Sequence, residues 1–289
     1  MTGKIILGTA QFGLDYGINN VTGKLSENDL TLLLNHAYNN GVEFLDTAVL
    51  YGDSETRIGD YLKNSQNHFR IVSKTPDCTK DELEFHLKSS LKKLNTKKLY
   101  GYLLHSFKTF VKDKTIVSEL HRLKEKSLVD KIGFSIYYPD ELKILIDEKI
   151  PFNILQLPYN LFDRRFESWF EELSEKNVEI HVRSVFLQGL FFIEPEKLTN
   201  HFLSVKNKLV ELNTIAKELK VDVLTLALCF ILNNRFINKV IVGVDNINQL
   251  EQLLKSVINN CGSIKNHLNN DFIKLSVDDE NIIIPSNWK

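Results

Sequence analysis

The stretch GVEFLDTAVLYG, residues 41–52, decides most of the reading. Its first half is a short apolar run that closes on a carboxylate, Asp46, and a Tyr51-Gly52 pair follows at once. Working outward, the same kind of run recurs: KIILGTA before it, then FRIVSK, LYGYLLH, KIGFS, FNILQL, VEIHVRSV and KVIVGV. These runs are apolar without clean alternation, as expected of strands buried on both faces of a parallel sheet. Amphipathic patterns predict helices over 26–40, 81–94, 114–126, 139–148, 166–175, 207–218, 221–232 and 246–258, the first opened by a Ser26 cap and closed before Gly41. Strands alternating with helices predict an α/β fold, a (β/α)8 TIM barrel, as one domain over residues 1–289. A doubly wound sheet is the alternative. No Pro/Gly/Ser-rich linker, low-complexity tract or short repeat divides the chain.

Composition excludes several classes of function. Lys+Arg 36 against Asp+Glu 37 leaves a formal charge of −1, so no bulk field recruits nucleic acid or an anionic membrane. No run approaches the ~18 apolar residues of a membrane span, and the opening MTGKIILGTAQFG lacks a signal-peptide pattern. Three cysteines, Cys78, Cys229 and Cys261, share no metal-ligand spacing. They read as reduced thiols of a cytoplasmic protein, with Cys229 as core filler.

In the barrel reading, active sites gather at the carboxyl ends of the strands. Those ends carry Gln11, Asp46, Lys74, His105, Ser135, Gln156, Arg183 and Gly243. Individually they have ordinary readings. Asp46 suits a helix cap, Lys74 a surface charge, Tyr51 a packed aromatic and His105 a structural imidazole. Together they form a proton-delivery set. Tyrosine has a reference pKa near ~10. A buried ammonium at Lys74 is expected to lower it, while Asp46 keeps that Lys charged. His105 can hydrogen-bond a carbonyl oxygen, so the four groups could protonate a carbonyl at neutral pH. No metal site is expected, because no second His lies at i+2, i+3 or i+4 of His105. His181 reads as internal packing.

At these residues the sequence resembles the aldo-keto reductases. GVEFLDTAVLYG is similar to that family's signature, and Lys74 and His105 fall where its other two catalytic residues belong. The resemblance runs from LGTAQFG at Leu7 to VIVGVDN at residues 240–246. It implies Tyr51 as proton donor, supported by Lys74, Asp46 and His105. It also implies NADP(H) or NAD(H) bound extended across the barrel mouth, although the chain has no G-x-G-x-x-G fingerprint. Ser135 and Gln156 would hold the nicotinamide amide. Arg183 would flank the ring. Ser184, Leu187, Gln188 and Gly189 would cover the pyrophosphate. Gly243, Val244, Asn246 and Gln249 would lie at the adenosine end. Gln11 and Asp46 complete the cofactor candidates.

The chain departs from the family pattern in three places. Ile136 stands where an Asn often follows the Ser. Arg183 replaces an aromatic that stacks on the ring; its charge would disfavour the oxidised ring, or it would reach an anionic substrate. Val244, Asp245, Asn246 and Gln249 occupy positions where members that prefer NADPH carry Lys or Arg. The expected function is reduction of a small-molecule carbonyl, an aldehyde or ketone, by a monomer or weak homo-oligomer that needs neither nucleic acid nor membrane. The LGTAQFGLDYGI opening and RSVFLQGL loop resemble bacterial members of surface-polysaccharide type, implying a sugar or nucleotide-sugar ketone. A short tail after Asp271 predicts an open cleft. The rival readings are a cofactor-binding regulatory barrel without turnover and a non-redox lyase or epimerase using Tyr51 and Lys74.

Overall fold

The computed structural model describes residues 1–15, 17, 23–259, 261–262 and 270–288. Tyr16 and Ile18 of the opening segment lie outside the described residues. All eight expected strands form: β1 (Ile5–Gly8), β2 (Phe44–Asp46), β3 (Arg70–Thr75), β4 (Leu99–Leu104), β5 (Val129–Ser135), β6 (Ile154–Pro158), β7 (Glu179–Arg183) and β8 (Lys239–Gly243). They pair in parallel in sequence order, and β8 closes onto β1. The chain is therefore a closed (β/α)8 barrel, and the doubly wound alternative falls away.

The strands are buried on both faces because the helices cover one face and the opposite wall covers the other. Side chains alternate between those faces. On the inward face, Val72 of β3, Leu103 of β4 and Ile154 of β6 pack together across the barrel axis. Below this apolar layer, Tyr100 and Lys131 converge on Glu179, with Tyr100 Oη donating at 2.8 Å and Lys131 Nζ at 2.5 Å. His181 Nε2 lies 3.3 Å from the same carboxylate. Burial would raise the pKa of Glu179, but these partners outweigh it and bring it down to about 2. His181 is thus fully buried packing, as expected, and also part of a charged floor.

The expected helices appear within a few residues of their sequence bounds. Those used below are α1 (Ala10–Gly13), α2 (Glu27–Asn39), α3 (Ser54–Lys63), α4 (Leu83–Lys93), α5 (Phe107–Lys112), α6 (Ile116–Glu125), α7 (Pro139–Asp147), α8 (Phe170–Glu175), α9 (Lys206–Glu218), α10 (Val223–Leu232), α11 (Ile247–Asn259) and α12 (Glu280–Ile283). Ser26 caps α2 as predicted, its side chain accepting from the Asp29 amide. Helix α3 was not foreseen. It buries Ser54, Glu55 and Arg57 beside Ile58 and Tyr61.

The thiol expectation is corrected. Cys229, in α10, and Cys261, just beyond α11, form a disulfide with a Cα separation of 4.8 Å, and Cys78 is the free cysteine. A sequence separation of 32 hides the pairing. The contact exists only because α10 and α11 pack side by side, joined midway by Thr225 Oγ1 donating to Ser256 Oγ at 2.8 Å. Thiol titration of unfolded protein without reductant is expected to find one free thiol per chain and, after reduction, three. Three at the outset would show that the pair is reduced in solution.

Candidate active site

The site begins with a buried ammonium. Lys74 ends the inward row of β3 and is fully buried. Its Nζ donates to Asp46 Oδ1 at 2.5 Å, to the Thr47 carbonyl at 2.9 Å and to Tyr51 Oη at 3.5 Å. The other Asp46 oxygen accepts from Gln156 Nε2 at 2.7 Å, across the barrel from β6. Burial opposes charge on Lys74, but Asp46 and Tyr51 outweigh it and raise its pKa. Lys74 therefore stays an ammonium.

Tyr51 reaches this pair from the turn after β2. Gly52 in that turn has φ +58°, and a methyl group there would strike the Gly13 carbonyl. A methyl group on Gly13 would in turn strike the Tyr51 carbonyl. The two glycines let α1 press directly on the Tyr51 main chain. The ring of His105, just beyond β4, meets the Tyr51 ring edge-on at 5.7 Å between centroids.

The electrostatics differ from the expectation at Tyr51. Its pKa is raised, not lowered. Burial is the largest cause. Lys74 and Arg183 pull the other way, but Asp46 adds to the rise by offsetting the ammonium. Tyr51 thus keeps its proton at neutral pH. His105 is pushed down to about 3, by burial first and then by Lys74 and Arg183, so its imidazole is neutral. Its Nδ1 is buried with no partner among the described residues. An unprotonated nitrogen is the less costly group to leave there, which puts the proton on Nε2.

These groups line one end of a cavity of about 820 Å³ at the carboxyl ends of the strands. Of the sequence candidates, Gln11, Asp46, Tyr51, His105, Ser135, Gln156, Arg183, Ser184, Gln188, Gly189, Gly243, Val244 and Gln249 line it. Lys74 sits beneath, behind Tyr51. Two of the cofactor candidates also do not reach the cavity. Leu187 is fully buried in the hydrophobic core. Asn246 accepts from the Gln249 amide with its side-chain oxygen, at 3.0 Å, and so caps α11.

Sequence reasoning missed Tyr137, Phe186, Phe192 and Asp222, which also line the cavity. Tyr137 and Phe186 stand on loops, Phe192 ends a short 3-10 helix and Asp222 caps α10, all without a strand-end signature. The short tail returns to the site, where Pro285 and Ser286 line the cavity wall. The tail is held by Arg165, which donates from Nε to Asp163 Oδ1 at 2.9 Å and from Nη1 to Glu280 Oε1 at 3.2 Å.

The cavity has features suited to a dinucleotide. Ser135, Gln156 and Arg183 offer polar groups beside Tyr51. The segment after β7 holds Ser184, Leu187, Gln188 and Gly189 at positive φ, which is uncommon for non-glycine residues and concentrates at ligand sites. The first turns of α10 and α11 adjoin the wall, and helix N-termini offer free N–H groups to phosphate. Among the described residues, no cluster of His, Cys, Asp and Glu could hold a metal ion.

Replacing Lys74 by Met is expected to cost about 3–5 kcal/mol in urea unfolding, because it leaves the Asp46 carboxylate buried and uncompensated. The double change Lys74→Met with Asp46→Asn should cost clearly less. A single-variant loss below about 1 kcal/mol would show that the pair is not held as buried ions.

Comparisons with known proteins agree with this geometry. The model of the Aldo/keto reductase family matches residues 4–261. The chain is 23% identical over 283 residues to the uncharacterised oxidoreductase YqkF of Bacillus subtilis (strain 168), covering 86% of this chain and 89% of that protein. It is 29% identical over 120 residues to D-arabinose 1-dehydrogenase of Saccharomyces cerevisiae, covering 36% of each. Among solved structures, the holo form of an aldo-keto reductase from Bacillus halodurans superposes with a TM-score of 0.75 at 20% identity, covering 96% of this chain and 93% of that one. The glycerol dehydrogenase of Gluconobacter oxydans gives 0.74 at 18% identity, with coverage of 98% and 92%. With its barrel intact and the family model spanning most of its length, the chain belongs to the aldo/keto reductase family of NAD(P)-dependent oxidoreductases.

Proposed function

We propose that this chain reduces a small carbonyl compound to an alcohol, with Tyr51 as proton donor. The observation that carries the reading is the cavity-facing phenol of Tyr51, backed by a fully buried Lys74–Asp46 ion pair and flanked by neutral His105. His105 Nε2–H orients the carbonyl oxygen, and Tyr51 gives that oxygen its proton. The Lys74 ammonium then stabilises the tyrosinate left behind, and Asp46 keeps Lys74 charged. The reduced nicotinamide, when bound, supplies the hydride. Ser135, Gln156 and Arg183 would hold its nicotinamide end. Ser184, Gln188 and Gly189 would hold the pyrophosphate, and Gln11, Gly243, Val244 and Gln249 the adenosine end.

The substrate we favour is a sugar-derived aldehyde or ketone. The resemblance of the opening and RSVFLQGL segments to polysaccharide-type members supports this, as do relatives named for D-arabinose and glycerol oxidation. A panel of sugar-derived carbonyls followed at 340 nm tests it. Consumption of simple aldehydes but of no sugar would remove the sugar assignment.

Tyr51→Phe keeps the ring and removes the proton. Its kcat for reduction is expected to fall on the order of 10²–10⁴-fold, with cofactor affinity nearly unchanged. Turnover retained within about threefold would reject Tyr51 as the acid. The pH dependence follows from the raised pKa of Tyr51. Reduction uses the protonated phenol, so it should show no loss from Tyr51 ionisation between about pH 6 and 9. Oxidation of the alcohol uses the tyrosinate and should rise with pH over the same span. An alkaline loss of reduction centred near neutrality would contradict the raised pKa.

Cofactor choice is expected to be loose. Asp222 and Asp245 are the acidic residues at the α10 and α11 side of the cavity, and no described Lys lines it. A 2′-phosphate there gains little, so Kd values for NADH and NADPH should lie within roughly 30-fold, about 2 kcal/mol. A thousandfold preference for NADPH would place an unrecognised basic group at the phosphate.

A further inference from the structure

The charges at the reacting end of the cavity do not balance. Lys74 is matched by Asp46. Tyr51 and His105 are neutral there. That leaves Arg183, which ends β7 and is the basic residue among the described residues lining the cavity. No carboxylate among the described residues forms an ion pair with it. Asp222 instead accepts from the Thr225 amide at 2.7 Å, and Asp245 accepts from Gln249 Nε2 at 3.2 Å.

Arg183 is nevertheless fixed. Its Nη2 donates to the Ile136 carbonyl at 2.9 Å. The guanidinium carbon lies 3.9 Å from the centroid of the Tyr137 ring. The Tyr137 carbonyl is itself held by Arg165 Nη2 at 3.2 Å, and Arg165 is gripped by the fully buried Asp163 carboxylate. A carbonyl and an aromatic face orient a guanidinium without cancelling its charge. The result is a pre-oriented, uncompensated positive charge facing the space beside Tyr51 and His105.

We infer that Arg183 selects the redox form of the cofactor, weakening binding of the oxidised nicotinamide relative to the reduced one. The inference rests on the reading that Tyr51 marks the reacting carbonyl. Hydride transfer brings the ring against that carbonyl carbon, and therefore into the space that Arg183 faces. The oxidised ring is a cation and the reduced ring is neutral. Like charges in a site of reduced dielectric repel far more than in water, so Arg183 penalises only the oxidised form. A site with this bias holds the hydride donor and lets go of the spent cofactor. The same charge helps the tyrosinate left after proton donation.

The test measures binding, not turnover. Kd values are determined for NADH by fluorescence titration and for NAD⁺ by displacement of NADH, using wild type, Arg183→Gln and Arg183→Lys. In wild type NADH should bind more tightly than NAD⁺. Arg183→Gln removes the charge and should shrink that ratio by about tenfold, or ~1.4 kcal/mol, chiefly through tighter NAD⁺. Arg183→Lys keeps the charge but loses the planar contact with Tyr137, and should hold the ratio within about threefold of wild type. An unchanged ratio in Arg183→Gln, or an equal change in both variants, overturns the inference and leaves Arg183 a structural residue.

ADP-ribose, which lacks the nicotinamide, supplies an arm that needs no variant. In wild type the gain in affinity over ADP-ribose should be larger for NADH than for NAD⁺. An equal or larger gain for NAD⁺ overturns the inference even if Arg183→Gln fails to fold. Absence of binding by both NADH and NAD⁺ would instead overturn the cofactor reading itself.

Discussion

A charged amine with no access to solvent is the constraint around which this barrel top is built. The ammonium of Lys74 can stay charged inside a protein only with a counter-charge and with its remaining hydrogens bonded. Asp46 supplies the first, and the Thr47 carbonyl and Tyr51 hydroxyl the second. Asp46 then needs a donor for its second oxygen, and Gln156 reaches from β6 to provide it. One buried charge thereby recruits groups from β2, β3, β6 and the turn after β2. A slip of one residue along β2 would turn Asp46 to the helix side and strand Lys74. The observed register, Asp46 against Val72, avoids this.

Polar groups in the barrel interior are sorted by height. The apolar layer of Val72, Leu103 and Ile154 separates the Lys74 network from the Glu179 floor, so the two ion clusters keep separate hydrogen-bond partners. Strength at the floor comes from converging donors on Glu179. Near Tyr51 the opposite holds. Among the described residues His105 Nδ1 has no partner, and Arg183 has a carbonyl, the Ser184 hydroxyl and a ring but no anion. Incomplete satisfaction is where a protein leaves room for a ligand.

Much of this was legible in the sequence, for physical reasons that also mark its limits. A strand buried on both faces announces itself as an apolar run, and a polar residue closing such a run must face the mouth. Asp46, Lys74, His105, Ser135, Gln156 and Arg183 were visible on that ground. Helix α3 was not. Its buried side mixes polar Ser54, Glu55 and Arg57 with Ile58 and Tyr61, and Ser54 donates to the Thr9 carbonyl while Ser73 donates to Glu55. Leu187 and Asn246 were placed at the cofactor by the family resemblance, but local backbone turns one into the core and makes the other a cap. The rise in the Tyr51 pKa was beyond the sequence, because it depends on how deeply a ring is buried, not on which charges are near. The Cys229–Cys261 pairing depends on helix packing across the fold in the same way.

The seat of Tyr51 is made of main chain against main chain, with Gly13 and Gly52 contributing the absence of side chains. The walls that would meet a substrate are different: Tyr137, Phe186, Phe192, Pro285 and Ser286 project side chains from separate segments. In the proposed function, the seat of the proton donor and most of the substrate walls thus come from separate parts of the molecule, with Tyr137 shared because it also orients Arg183. A library randomised over the wall residues would search new substrates without disturbing the proton donor. A single methyl group at either glycine would disable every member of that library at once.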